Sequence, residues 1–152
     1  MSKPVVQVAE LPNWVGKEIG VSAWHTITQE DINAFADVTR DHQWVHVDVE
    51  RATKETPFGG PIAHGYLTLS MLSHLLEQVW DVEGGSFALN YGLNKVRFPN
   101  PVLAGKAIRC HAMLEEVTEV AGGFQCQLKA TVEVEGADKP ACVAEVLFRY
   151  YL

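Results

Sequence analysis

A chain of 152 residues that is 47% hydrophobic holds enough apolar material for an ordinary core and excludes wholesale disorder. Its formal net charge of −7 argues against nonspecific binding to nucleic acid, which needs a basic face, although a few local Lys and Arg can still reverse the field at one anion site. No apolar run approaches the roughly 18 residues of a membrane span, and the start, MSKPVVQVAELP, lacks the apolar stretch and cleavage site of a signal peptide. The expected location is therefore cytoplasmic, with no membrane partner.

No repeat, low-complexity run or linker divides the chain, so residues 1–152 read as one domain. The first dozen residues read as irregular, because Pro4 and Pro12 break regular structure. Short apolar alternations between Val15 and Trp24 suggest a first strand. Thr28 followed by Asp31 is a loose capping box. Ile32, Phe35, Ala36 and Thr39 then recur at helical spacing, which predicts an amphipathic helix over 29–39. Val45, Val47 and Val49 alternate with His46 and Asp48, which suggests extended chain. Asp48 can then cap a short helix, VERATKET, that stops before Pro57.

PFGGP, 57–61, reads as a rigid turn. After it comes the longest apolar helical pattern, IAHGYLTLSMLSHLLEQVW, 62–80. Leu67, Met71, Leu75 and Val79 share a stripe with Leu72 and Leu76 beside it, so this helix should be largely buried. Segments near 87–98, 106–118, 123–135 and 141–151 alternate with period two, divided by turn signals at Pro99-Asn100-Pro101, Gly122-Gly123 and Gly136 to Pro140. Consecutive strands with short turns imply an antiparallel meander. A buried helix against such a meander is an α+β arrangement. The three separated cysteines, Cys110, Cys126 and Cys142, fit buried reduced thiols.

RDHQWVHVD, 40–48, crowds two aspartates, two histidines and an arginine beside a tryptophan. Three readings compete. His42 and His46 are four apart, as zinc-binding histidines are on a helix, but the valines argue against helix and no third ligand stands at familiar spacing, so no metal is expected. A polar loop with a helix cap and stray histidines needs no chemistry at all. The third reading is a proton-transfer pair, Asp41 and His46, brought over one small volume by a five-residue turn. A second cluster favours it. Pro61-Ile62-Ala63-His64-Gly65 opens the long helix, and a helix start offers unpaired N–H groups to an oxygen that gains negative charge.

Taken together, Phe35 to Asp41, His46, and Pro61 to Gly65 resemble the hydratase-2 signature of the MaoC-like dehydratases, the family that includes R-specific enoyl-CoA hydratases. The later NKVRFPNPVLAGK, 94–106, is similar to that family's strand-and-turn segment. DHQWVH and NYGLNKVRF are most similar to its NodN-like branch. Gln43-Trp44 replaces the usual Asn-Pro, and Arg40 stands where the family often has Gly.

The resemblance implies a hot-dog fold, in which a long helix is wrapped by a curved antiparallel sheet, and pairing as a homodimer. It implies reversible hydration of a trans-2-enoyl-CoA thioester to an R-3-hydroxyacyl-CoA, with no cofactor. Asp41 and His46 become the acid–base pair, and the Gly65 N–H becomes the oxyanion donor. Ser73 is a candidate to orient the pair, weighed against a plain polar helix residue. Gln43 and Trp44 become candidates for loop bonding and for an acyl-chain wall. Lys95 and Arg97 are candidates for an anionic part of the substrate, weighed against a solvated strand edge. His64 reads as a brace for the loop or as an ordinary polar residue of a first helical turn, the second being favoured, and Asp48 as a cap. Two alternatives stand beside the hydratase: a hot-dog thioesterase, disfavoured because Glu77 is the only carboxylate on the helix, and a non-catalytic acyl-thioester binding module.

Overall fold

A computed structural model describes residues 2–152. Its strands are β1 (Val5–Gln7), β2 (Glu18–Val21), β3 (His25–Thr26), β4 (Asp81–Glu83), β5 (Phe87–Arg97), β6 (Ala107–Val120), β7 (Gly123–Val134) and β8 (Cys142–Tyr151). Its α-helices are α1 (Gln29–Thr39), α2 (Trp44–Val47), α3 (Val49–Glu55), α4 (Gly65–Ser70) and α5 (Leu72–Glu77).

Three of the four period-two segments, β6, β7 and β8, form an antiparallel meander, but β5 does not pair with β6 as consecutive strands would and instead joins the far side of β8. The main sheet runs β2-β6-β7-β8-β5, and β3 also pairs with β6. Alternation works as expected: Cys126, Leu128, Ala130, Val132 and Val134 of β7 are buried, while Lys129 between them is exposed. Ala112, Ala130 and Ala144 stand in register across β6, β7 and β8, a row of small side chains that leaves room for a helix. α4 meets β8 and α5 meets β6, and Leu67, Leu72, Leu75 and Leu76 join the sheet's inner face in one core. Full burial of Leu75, 0% exposed, contributes about 2 kcal/mol. A helical pair held in a curved antiparallel sheet is the hot-dog arrangement. No helix among the described residues is long and apolar enough to cross a membrane.

The long helix departs from the expected 62–80. It begins at Gly65 because Ile62 and Ala63 give their N–H groups to Val45 and Val102 instead. Met71, at φ −65° and ψ −14°, tightens one turn between α4 and α5 without leaving the right-handed region.

The extended reading of 45–49 is also wrong. Residues 44–47 form the single turn α2, with His46 buried and Val45 and Val47 only half-buried. Period two had put the valines on one face, whereas the core takes the histidine between them. Nor is the N-terminus irregular: Val6, Val8 and Leu11 are buried, so β1 pairs in parallel with β4 and residues 8–14 form a 3₁₀ helix that contains Pro12. The first strand within 15–24 shrinks to β2, with a register shift between Glu18 and Gly20.

Candidate active site

Local chemistry brings the chain to the site in three moves. Thr28 and Asp31 close a full capping box at the start of α1, each side chain accepting from the other's backbone N–H at 3.0 Å. The helix ends where Arg40 takes a left-handed conformation, φ 64° and ψ 23°, and this redirects the backbone. Asp41 follows, its carboxylate accepting from the Gln43 N–H at 3.3 Å, an Asx-type turn that leads into α2. His46 lies on α2 and is buried, 8% exposed. The Gln29 side chain at the start of α1 donates to the His46 carbonyl at 2.8 Å.

The segment 62–64 then holds both partners. It is anchored by a bridge from Ile62 to Leu103 and by the Ile62 N–H on the Val45 carbonyl at 3.1 Å. His46 Nδ1 lies 2.7 Å from the Ile62 carbonyl oxygen. A carbonyl only accepts, so Nδ1 carries the proton and Nε2 keeps a lone pair. His64 Nε2 lies 3.0 Å from the Asp41 carbonyl oxygen and carries its proton for the same reason. The His64 ring stacks on His46 with centroids 3.9 Å apart and planes at 24°. Phe35 meets His64 at 5.0 Å.

A ring nitrogen of each histidine and a carboxylate oxygen of Asp41 lie within 4.8 Å of one another. No direct hydrogen bond joins the Asp41 carboxylate to His46, and the gap is one that a single water, with two bonds of about 2.8 Å, spans. The His46 pKa is lowered, first by burial. The Ile62 carbonyl and the Asp41 charge oppose that shift, and His64 adds to it. The arrangement is thus a neutral imidazole with an open nitrogen beside an exposed carboxylate, and it can accept a proton from water and pass it on.

These three groups could also ligate a cation. Their disposition suits proton transfer better. In-plane lone pairs of two stacked imidazoles run side by side, whereas chelation needs them to converge at about 2.0–2.1 Å from one ion.

Gly65 opens α4. Its N–H is used by no hydrogen bond among the described residues, as expected at a helix start. A Cβ placed there would meet the Phe98 ring at 3.2 Å, so the aromatic side chain rests directly on this glycine.

The other sequence candidates are dispersed. Ser73 is exposed and lines a separate hollow of about 380 Å³ with Glu77, Trp80 and Tyr150. The Gln43 side chain is exposed and caps nothing. Trp44 carries the Arg51 guanidinium over its ring at 4.0 Å. Lys95 and Arg97 do share a hollow, of about 360 Å³, with Lys129 and Glu145, but Asp41, His46 and His64 do not border it. Asp48 caps α3 by accepting from the Arg51 N–H at 3.0 Å, as expected, and His42 pairs outward with Asp37 at 2.8 Å. Burial pushes the thiols of Cys110 and Cys126 up to about 12, in keeping with inert core cysteines.

His64 is the residue that periodicity misplaced. Counting 62–80 as helix made it a polar first-turn residue, yet it is 3% exposed and touches both members of the pair. The available signal was local: Ile62 and His64 flank Ala63 after Pro61, so in extended chain they face one side together.

Comparison with known proteins places this geometry in context. A family model described as MaoC like domain matches residues 10–137. The 3-hydroxyacyl-thioester dehydratase Z of Mycobacterium tuberculosis H37Rv is 52% identical over 144 residues, 94% of this chain and 95% of that protein. Nodulation protein N of Rhizobium leguminosarum is 42% identical over 141 residues, 91% of this chain and 88% of that protein. The R-hydratase of Pseudomonas aeruginosa superposes with a TM-score of 0.72 at 24% identity, covering 90% of this chain and 81% of that one.

Proposed function

The chain belongs to the MaoC-like dehydratase family, and from that membership we propose that it reversibly hydrates a trans-2-enoyl-CoA to the R-3-hydroxyacyl-CoA, working as a homodimer. The observation that carries this reading is the approach of Asp41 to a buried His46 whose Nε2 is free, with ligand atoms within 4.8 Å. The relative at 52% identity is named for dehydrating a 3-hydroxyacyl thioester, and hydration of the enoyl thioester is that reaction reversed.

In the hydration direction one water sits between the Asp41 carboxylate and His46 Nε2. The pair removes its proton, with Asp41 the base, as the oxygen bonds to the β-carbon. The C=C π electrons move toward the thioester carbonyl, whose oxygen becomes enolate-like and accepts from the Gly65 N–H. The α-carbon then takes back a proton through the same pair, so neither electrons nor protons are left over. Positioned proton transfer typically contributes about 10²–10⁴-fold, and one oxyanion donor about 2.7–4 kcal/mol. An apolar hollow of about 490 Å³ lined by Phe35, Leu67 and Met71 is a suitable place for the acyl chain, because the Phe35 ring also meets His64. Lys95 and Arg97, with Lys129, suit the phosphates of the carrier.

The test is loss of conjugated-thioester absorbance with enoyl-CoAs of increasing chain length, alongside a thiol reagent. Absorbance loss without thiol release is the expected result. Thiol release would make the protein a thioesterase, and tight binding without turnover would make it a binding module.

A further inference from the structure

The buried residue left over by that chemistry is His64, and it contacts both halves of the pair. Its Nε2–H reaches the Asp41 carbonyl at 3.0 Å, its ring face covers the His46 ring at 3.9 Å, and its Nδ1 has no partner among the described residues. Two residues earlier, the Ile62 carbonyl takes the His46 Nδ1–H. One short anchored segment therefore sets the position of the carboxylate's backbone and the tautomer and plane of the imidazole.

We infer that His64 is a positioning residue, holding Asp41 and His46 at the spacing a shared water requires. This rests on the reading of Asp41 and His46 as an acid–base pair. Asp41 needs such support, because it lies on an exposed loop next to a residue in left-handed conformation. Misplacing a catalytic group by about 1 Å can cost about 10²-fold in rate.

The second part follows from the stack. Two ionisable groups act on the His46 ring: His64, which disfavours its charged form, and Asp41, which favours it. From α1 come neutral groups, Gln29 to the His46 carbonyl and Phe35 to the His64 ring. The His64 ring, stacked at 3.9 Å, opposes a proton on His46. A neutral side chain at position 64 removes that opposition, so His46 would charge at a higher pH. The acid limb of kcat/KM, where His46 must be neutral, would then move upward.

Two variants separate the parts. His64→Phe keeps a ring against His46 and loses the donor to Asp41. Its kcat should fall by about 10–100-fold with KM for crotonyl-CoA nearly unchanged and the acid limb at higher pH. His64→Gln offers an amide N–H to the Asp41 carbonyl, so it should recover part of kcat while its acid limb shifts as in the Phe variant. Wild-type kcat with an unmoved acid limb in both folded variants overturns the inference. Nitrogen-15 NMR of the unaltered protein gives a test that needs no variant to fold. The Nε2–H tautomer of His64 is expected, and an Nδ1–H tautomer overturns the inference. Asp41→Asn separates this failure from the broader one. If that variant keeps full activity, the acid–base pair itself is wrong. If it is inactive while the His64 variants behave normally, only the role of His64 is wrong.

Discussion

Arg40 shows how much one backbone angle decides. It is the only non-glycine residue with positive φ among the described residues, and it stands where α1 must end for Asp41 to turn toward His46. A side chain in that conformation costs roughly 1–2 kcal/mol. Arg40→Gly is therefore expected to raise stability by about 1 kcal/mol, less what glycine's freedom in the unfolded chain takes back. The urea midpoint measures it, and a lowered midpoint would mean that the Arg40 side chain does something stabilising. At this scale the sequence was readable where chemistry is dense in a few residues: Asp41 and His46 stand out by type and spacing, and the structure brings them together. His64 did not, because its role depends on which carbonyl its ring reaches, and that is set by a bridge from Ile62 to Leu103, forty-one positions apart in the chain.

Between elements, the decisive contact joins the start of α4 to the end of β5. The Phe98 ring, one residue past β5, lies 3.2 Å from where a Cβ on Gly65 would be, tighter than ordinary packing. Gly65→Ala keeps the backbone N–H but pushes on that ring, so activity should fall by displacement rather than by loss of a donor. Gly65→Ala combined with Phe98→Leu should recover most of the rate in the same hydration assay. A double variant no faster than the single one would show that glycine is needed for another reason. The elements themselves were legible in proportion to their periodicity. β6, β7 and β8 alternate buried and less buried residues along much of their length and were placed within two residues of their ends. α2 was misread because one helical turn is too short to show a period of 3.6, and β1 and β4 were missed because three residues carry no alternation.

At the scale of the molecule, β5 is the open question that a second copy answers. It ends the sheet, and none of its residues is buried, although Phe87, Leu89, Tyr91 and Leu93 are all at least 42% exposed. A long apolar edge is a liability in a monomer. The homodimer we propose would remove it by pairing through β5. Sedimentation equilibrium is expected to give twice the chain mass, and Leu89→Lys with Leu93→Lys to give a single chain. Retention of the dimer in that variant would move the interface elsewhere. The meander of β6, β7 and β8 and the buried helix could be read in the sequence, but the place of β5 beside β8 and its bare edge could not, since alternation does not say which strand is the neighbour.

The most direct test of the acid–base pair is a double-mutant cycle on kcat with Asp41→Asn, His46→Asn and the combined variant. Groups that work on one water act as a unit, so each single change is expected to cost about 10²–10⁴-fold and the double change little more than the worse single one. Losses that multiply, or near wild-type activity in either single variant, would contradict a shared water between Asp41 and His46.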